Sequence, residues 1–378
     1  MYMFFKKLFM FKYLTLHIKR FLLKIPKFYF SIPKRNSLII FDDMNSKYIK
    51  KCINHKRIYE IKFRDNQFNF FALIYSLIFF YKSTFKVEYL RFFLLRSKLN
   101  TIVTLNYNRV VIYQIKKFYP KIKVMVIQNG IFGEEFIEKI TKTKYKNLIC
   151  DYFFCISFHE KKKLNKLIKC KFIVIGSLKN NYYNIKNTSK KKEVLFISQF
   201  RKNLINVEIF ENFFITEKLI LPVLMKFCEK KNLKLAILPG EENYNVEFNY
   251  YSKLIKNKNF VLYNRDLDKS YHRVDESLFC VGIDSTLVLE ALSRKSKVAI
   301  FNFATSNYLH HSYLVKDFFV KEGNFWLNQF NLHKIDNILN YIYTTDDKKW
   351  ENQNISKINL IPFDKDNSKL KKIFEKLI

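Results

Sequence analysis

Short runs of consecutive apolar residues recur along the chain, rich in β-branched and aromatic side chains. In the first half they are Leu38–Phe41, Thr101–Leu105, Lys123–Gln128, Tyr152–Ile156 and Phe172–Ile175. In the second half they are Val194–Ser198, Lys234–Leu238, Phe260–Tyr263, Leu278–Gly282 and Lys297–Phe301. The runs are apolar throughout rather than alternating, which predicts parallel strands covered on both faces. Amphipathic stretches of helix length separate them, including Arg109–Phe118, Glu217–Lys231, Val246–Ile255 and Thr286–Arg294. Strands alternating with helices imply a doubly wound α/β protein. The polar, Asn-rich and basic stretch Asn180–Lys192 reads as a linker between two halves of similar make-up. The expected organisation is a basic amphipathic segment at 1–36, α/β domains at 37–185 and 190–345, and a helical tail at 346–378.

The most apolar stretch, Phe68–Tyr81, is interrupted by Asn69 and Ser76. It is long enough for a buried helix and too short to cross a bilayer. From Met1 to Phe41 there is no acid, while Lys6, Lys7, Lys12, Lys19, Arg20, Lys24, Lys27, Lys34 and Arg35 are interleaved with apolar residues. No continuous apolar core and small-residue cleavage site of a secretory signal is visible there. The pattern fits a basic helix on an anionic bilayer, and equally one packed on the domain with its charges in water.

The chain has 378 residues, 49% of them hydrophobic, enough for two cores and too many for general disorder. Lys and Arg number 68 against 33 Asp and Glu, a formal charge of +35, so an anionic partner is expected. Abundant Phe, Tyr, Lys, Ile and Asn also follow from an AT-rich genome, so part of this charge needs no partner. The basic residues spread along the whole chain without a nucleic-acid-binding motif, and nucleic acid is not the expected partner. The six cysteines form no CxxC and read as reduced thiols.

Five of the six glycines (Gly130, Gly133, Gly176, Gly240 and Gly282) lie at or just beyond the carboxyl ends of predicted strands, the edge at which open α/β sheets bind ligands. The sharpest candidate is Cys280–Ala299. A strand ends at Gly282, Asp284, Ser285 and Thr286 form a helix start, and Glu290 follows one turn in. Such a start suits a phosphate, and a carboxylate on its face suits ribose hydroxyls. The same residues also describe a plain capped helix with a solvated glutamate.

Gly-x-x-Ser-Thr-x-x-x-Glu-Ala-Leu, ending in a basic turn and an apolar strand, resembles the donor-binding segment of GT-B glycosyltransferases. It is most similar to those of bacterial surface-carbohydrate synthesis: capsule and lipopolysaccharide sugar transferases, CMP-sugar-using transferases and CDP-glycerol polymer synthases. Val126–Gly130 resembles the strand-end loop of their first domain, Phe172–Asn180 the strand that closes it, and Val194–Arg201 the first strand and loop of their second. The ordered set covers most of residues 120–305. The resemblance implies two Rossmann-like domains facing a cleft, and a sugar transferred from a nucleotide-activated donor to a lipid-linked or lipopolysaccharide-core glycan. It places the enzyme in the cytoplasm, peripheral on the inner membrane face. It assigns donor binding to Ser198, Gln199, Arg201, Gly282, Asp284, Ser285, Thr286 and Glu290, and the acceptor side to Gln128, Asn129 and Gly130. Many relatives carry His where Asn129 stands. Asn cannot act as a general base, so Glu134 or Glu135, just beyond the loop, or Asp42 after the first strand, becomes the candidate. No cofactor and no obligatory metal are expected.

A polyol-phosphate transferase using a CDP donor, a nucleotide-sugar epimerase and a non-catalytic scaffold would keep the same fold. Asp266 and Asp268 form a D-x-D that would matter only in a metal-dependent reaction, and the adjacent pair His310–His311 makes a poor metal site. Walker A, GxGxxG and GxSxG motifs are absent.

Overall fold

The computed structural model describes residues 27–41, 45–54, 56–62, 67–131, 148–185, 191–205, 208–256, 259–303, 319, 321–355 and 360–378. A two-stranded parallel ribbon, β1 (Lys27–Tyr29) and β4 (Gln67–Asn69), flanks a six-stranded sheet. That sheet contains β2 (Leu38–Ile40), β3 (Ile58–Glu60), β5 (Thr101–Thr104), β6 (Lys123–Ile127), β7 (Leu148–Cys155) and β8 (Ile168–Val174). Its order is β3-β2-β5-β6-β7-β8, and every pair is parallel. The second sheet has β9 (Glu193–Ile197), β10 (Lys234–Leu238), β11 (Phe260–Leu262), β12 (Phe279–Gly282), β13 (Val298–Phe301), β14 (Glu322–Gly323) and β15 (Trp326–Leu327). Its order is β11-β10-β9-β12-β13-β15-β14, parallel except for the β14–β15 edge.

Each sheet carries apolar side chains on both faces because both are covered. In the first sheet Ile39, Ile102, Val124 and Val126 meet Val87, Leu90, Phe93 and Ile112 of the helices Phe85–Ser97 and Val110–Phe118. On the other face Leu38, Ile40, Val103 and Ile127 meet Tyr48 and Ile49, and also Leu370 and Phe374 of the helix Ser368–Leu377. The tail thus crosses back to complete the first domain. Lys369 Nζ donates to the Val174 carbonyl at 2.6 Å and Lys123 Nζ to that of Leu377 at 2.9 Å.

The expected strands are all present within a few residues. The ribbon, β3, β14 and β15 were not anticipated. They are two or three residues long, too short to carry a period. Two expectations are corrected. The linker does not begin as exposed chain: Leu178–Tyr182 is helical, and Asn180 and Asn181 are wholly buried. The apolar stretch forms a helix, Phe70–Phe79, but only Ala72 and Ser76 of it are buried. The five buried cysteines and the half-buried Cys170 are all free thiols.

Candidate functional site

Leaving aside the β14–β15 edge hairpin, the order of strands in each sheet reverses once, and in open α/β sheets ligands bind beyond the carboxyl edge near that point. In the second sheet that point lies between β9 and β12. Gln199, just beyond β9, spans the gap: its side-chain amide donates to the Asp284 carbonyl at 3.1 Å and accepts the Asp284 N–H at 2.8 Å. Asp284 leads into Ser285, whose hydroxyl caps the helix Thr286–Ser293 by accepting the Leu287 N–H at 3.3 Å. Gly282 allows this helix to lie close to the strand. A Cβ there would stand 2.3 Å from Val288 Cγ2. Packing is therefore the role the structure shows for Gly282, expected to hold phosphate.

The loop after β9 carries Arg201 to an open cavity of about 650 Å³ lined also by Lys202, Asn203, Glu241, Glu242 and Arg265. Gly240 makes room for the guanidinium, since a Cβ there would lie 2.2 Å from Arg201 Nη1. Partial burial and the charge of Arg265 hold the Arg201 pKa below its ordinary value. Arg265 pairs with the exposed Glu242 at 3.0 Å. Two guanidinium groups thus line one cavity, together with Lys202 and the carboxylates Glu241 and Glu242, and guanidinium pairs of this kind suit a phosphate or diphosphate.

Two buried glutamates support this edge from below. Glu247 accepts the Ser198 hydroxyl at 2.6 Å and the N–H groups of Gly240 and Glu241 at 3.0 and 2.8 Å. Glu217 accepts the Tyr251 hydroxyl at 3.2 Å and the Gln199 N–H at 3.4 Å. Burial pushes the Glu217 carboxyl up to about 7 and Glu247 upward as well. Ser198, expected to face the donor, instead points down. It donates to Glu247 and accepts from Tyr251 at 2.5 Å and from the Phe200 N–H at 3.1 Å.

The first domain meets this edge at Gly130, where a Cβ would lie 3.7 Å from Thr286 Oγ1. Asn129 and Gly130 are half-exposed, but Gln128, also expected to line the acceptor side, is buried. Its amide donates to Glu160 at 2.5 Å and accepts the Ile156 N–H at 3.1 Å, tying β6 to the end of β7. The base candidates Glu134, Glu135 and Asp42 lie outside the described residues, as do His310 and His311.

Glu290 is only 4% exposed. One oxygen accepts the Ser177 hydroxyl of the first domain, the other that of Tyr271 at 2.9 Å, and burial raises its pKa. The same seam holds the buried Arg294, which bonds both oxygens of Asp275 at 2.8 and 2.5 Å and reaches carbonyls of Asn180, Tyr183 and Asn184. Of the D-x-D pair, Asp266 caps the helix Leu267–Glu276, and Asp268 binds Lys47 at 2.5 Å and the Tyr183 hydroxyl. Among the described residues no group of three or more metal-ligating side chains occurs.

Two parallel Rossmann-like sheets with apposed carboxyl edges, and a tail returning to the first domain, define the GT-B fold. Residues 125–378 match the model of the O-antigen biosynthesis protein family, and the chain belongs to that family. No curated protein matches it. Among solved structures it resembles sucrose-phosphate synthase from Thermosynechococcus elongatus, at 11% identity over 91% of this chain and 99% of that one, TM-score 0.53. It also resembles the UDP-GlcNAc 2-epimerase of Methanocaldococcus jannaschii, at 15% identity over 90% and 98%, TM-score 0.50. The wall teichoic acid polymerase TagF matches at 10% identity over 91% and 88%, TM-score 0.50. The chain spans only 59% of the length of the matching chain in the GtfA/B complex and 55% of that of S. aureus TarM. These likenesses show the fold.

Proposed function

We propose that this protein is a glycosyltransferase. In this reading it moves a sugar from a nucleotide-activated donor to a lipopolysaccharide or other surface-polysaccharide acceptor, peripheral to the cytoplasmic face of the inner membrane. The observation that carries the reading is the convergence of Arg201 and Arg265 on one cavity at the carboxyl edge of the second sheet, on the loop after β9 that Gln199 ties to the Asp284 backbone ahead of the capped helix start at Ser285. As the bond from sugar to phosphate breaks, negative charge grows on the departing nucleotide. The two guanidinium groups would stabilise that charge, and in this reading no obligatory metal is needed. Family membership supports the surface-carbohydrate context.

Glu290 would take ribose hydroxyls by exchanging its bond from Ser177, which would couple donor arrival to the domain seam. Asn129 and Gly130 would face the acceptor. The base that deprotonates the acceptor hydroxyl would come from Glu134, Glu135 or Asp42.

The test is a thermal-shift screen against CMP, CDP, UDP, GDP, ADP and dTDP, with and without Mg²⁺. Stabilisation by one of them is expected, since a ligand that binds only the folded state raises stability with occupancy. CMP alone points to an acidic-sugar donor, and CDP to a polyol-phosphate donor. No stabilisation by any contradicts the transferase reading and favours a non-catalytic scaffold.

A further inference from the structure

The helix Phe70–Phe79 is apolar on nearly every face, yet its outer side is bare. Phe71, Ile74, Leu77 and Ile78 are 41–57% exposed, and Tyr81 at its end is 70% exposed. The chain around β1 extends the patch. Phe28 and Phe30 are exposed and set their rings 6.1 and 5.5 Å from that of Phe70. A contiguous surface of this kind marks a docking site.

Its rim is of one sign. Lys27, Lys62, Lys82 and Lys86 are exposed, and Lys82 Nζ stands 4.9 Å from the Phe79 ring centroid and 5.7 Å from that of Tyr81. No acid lies between Lys27 and Phe41. The single acid between Gln67 and Lys98 is Glu88, fully buried and bonded to Ser83, Arg91 and Tyr119. Apolar and aromatic side chains ringed by lysines, with no exposed carboxylate among the described residues of these two stretches, complement an anionic bilayer: rings and aliphatic chains at the acyl boundary, ammonium groups among the headgroup phosphates.

The geometry suits an interfacial position and not a spanning one. The ten-residue helix is about 15 Å long, half the hydrocarbon thickness. The next helix, Phe85–Ser97, turns away by 119° and puts Val87, Leu90, Phe93 and Leu94 into the domain core. Among the described residues no single helix is long and apolar enough to cross a membrane. Residues 1–26 of the chain carry six Lys or Arg and no acid, a charge that adds to the attraction for anionic lipid.

We infer that the outer face of Phe70–Tyr81, with Phe28 and Phe30, is an interfacial docking surface for an anionic lipid bilayer. The inference deepens the membrane-face reading by assigning the contact to named residues outside the Arg201 cavity. Its test is co-sedimentation of the full chain with phosphatidylcholine vesicles with and without phosphatidylglycerol. Binding should require the anionic lipid and weaken with salt. The double variant Leu77→Glu/Ile78→Glu should bind roughly tenfold or more weakly, because two apolar contacts with the bilayer are lost. Its nucleotide-induced thermal shift should match that of the unaltered protein, which separates failure of docking from failure of the donor site. A second readout uses Phe71→Trp, whose added emission should be quenched by brominated phospholipid in the anionic vesicles. Wild-type affinity in the double variant or no quenching of Phe71→Trp overturns the inference. So does a self-association, broken by the double variant, that leaves vesicle binding unchanged.

Discussion

Gln199 and Asp284 are joined by a reciprocal pair of hydrogen bonds, 2.8 and 3.1 Å long, across the crossover of the second sheet. A primary amide can donate to the carbonyl and accept from the N–H of one residue at the same time. The pair fixes the distance between the Arg201 loop and the helix start at Ser285. Gln199→Ala is expected to cost about 1–3 kcal/mol, two net hydrogen bonds at partly buried positions. Urea unfolding checks this; an unchanged midpoint would mean that the two loops are held by other contacts.

Arg201 and Arg265 repel each other across their cavity. Replacing either by Ala should therefore leave stability nearly unchanged while weakening nucleotide diphosphate binding about 10–100-fold, the loss of one charge-assisted contact of roughly 1.5–3 kcal/mol. Calorimetric titration of each variant decides the matter. Equal affinity in Arg201→Ala and the unaltered protein would remove Arg201 from the site.

The Glu217 carboxyl titrates near 7 in the folded chain, because burial disfavours its charge. An exposed glutamate titrates near 4.3, so between these values the folded state binds more protons than the unfolded one. Stability should then fall as pH rises from about 4.5 to 7, by on the order of 3 kcal/mol from this group. The raised Glu247 acts in the same direction. Glu217→Gln should flatten that part of the profile and be the more stable protein above pH 7. Denaturant midpoints across this range provide the check, and identical profiles would contradict the assignment.

Ser177 and Tyr271 both donate to Glu290, which joins the two domains at the seam. Glu290→Ala leaves two buried hydroxyls without their acceptor and should destabilise by roughly 1–3 kcal/mol. Glu290→Gln should lose less, because its side-chain carbonyl can still accept from one of them. Thermal unfolding of the two variants separates these outcomes; no loss in Glu290→Ala would show that the seam does not depend on this carboxylate.

The strands were legible because burial on both faces leaves a continuous apolar run, as Val194–Ile197 and Cys280–Gly282 show. The helix start at Ser285 was legible because capping is local. The supports of the site were not. Glu247 sits in Tyr244–Leu254, where the sequence pattern predicts a helix but does not say that this glutamate is buried, and its bonds to the Gly240 and Glu241 N–H groups and to Ser198 come from elsewhere in the fold. Arg265 stands in a polar stretch, and the side-by-side order of β9, β10 and β11 is what brings it to Arg201. Gly282 and Ser198 carry a pattern suited to phosphate contact, yet Val288 fills the space above one and Glu247 captures the other. Gln128 was misplaced for the same reason: an amide after a strand can face a cleft or tie two strands together, and its partner Glu160 lies 32 residues further along the chain.

The central claim is that a nucleotide-activated donor binds at the cavity formed by the loops after β9, β10 and β11. Hydrogen–deuterium exchange with the nucleotide that stabilises the protein tests it most directly. The predicted result is protection confined mainly to residues 198–203, 239–242 and 263–266, lost in Arg201→Ala. Protection restricted to the first domain, or none at saturating nucleotide, would contradict it.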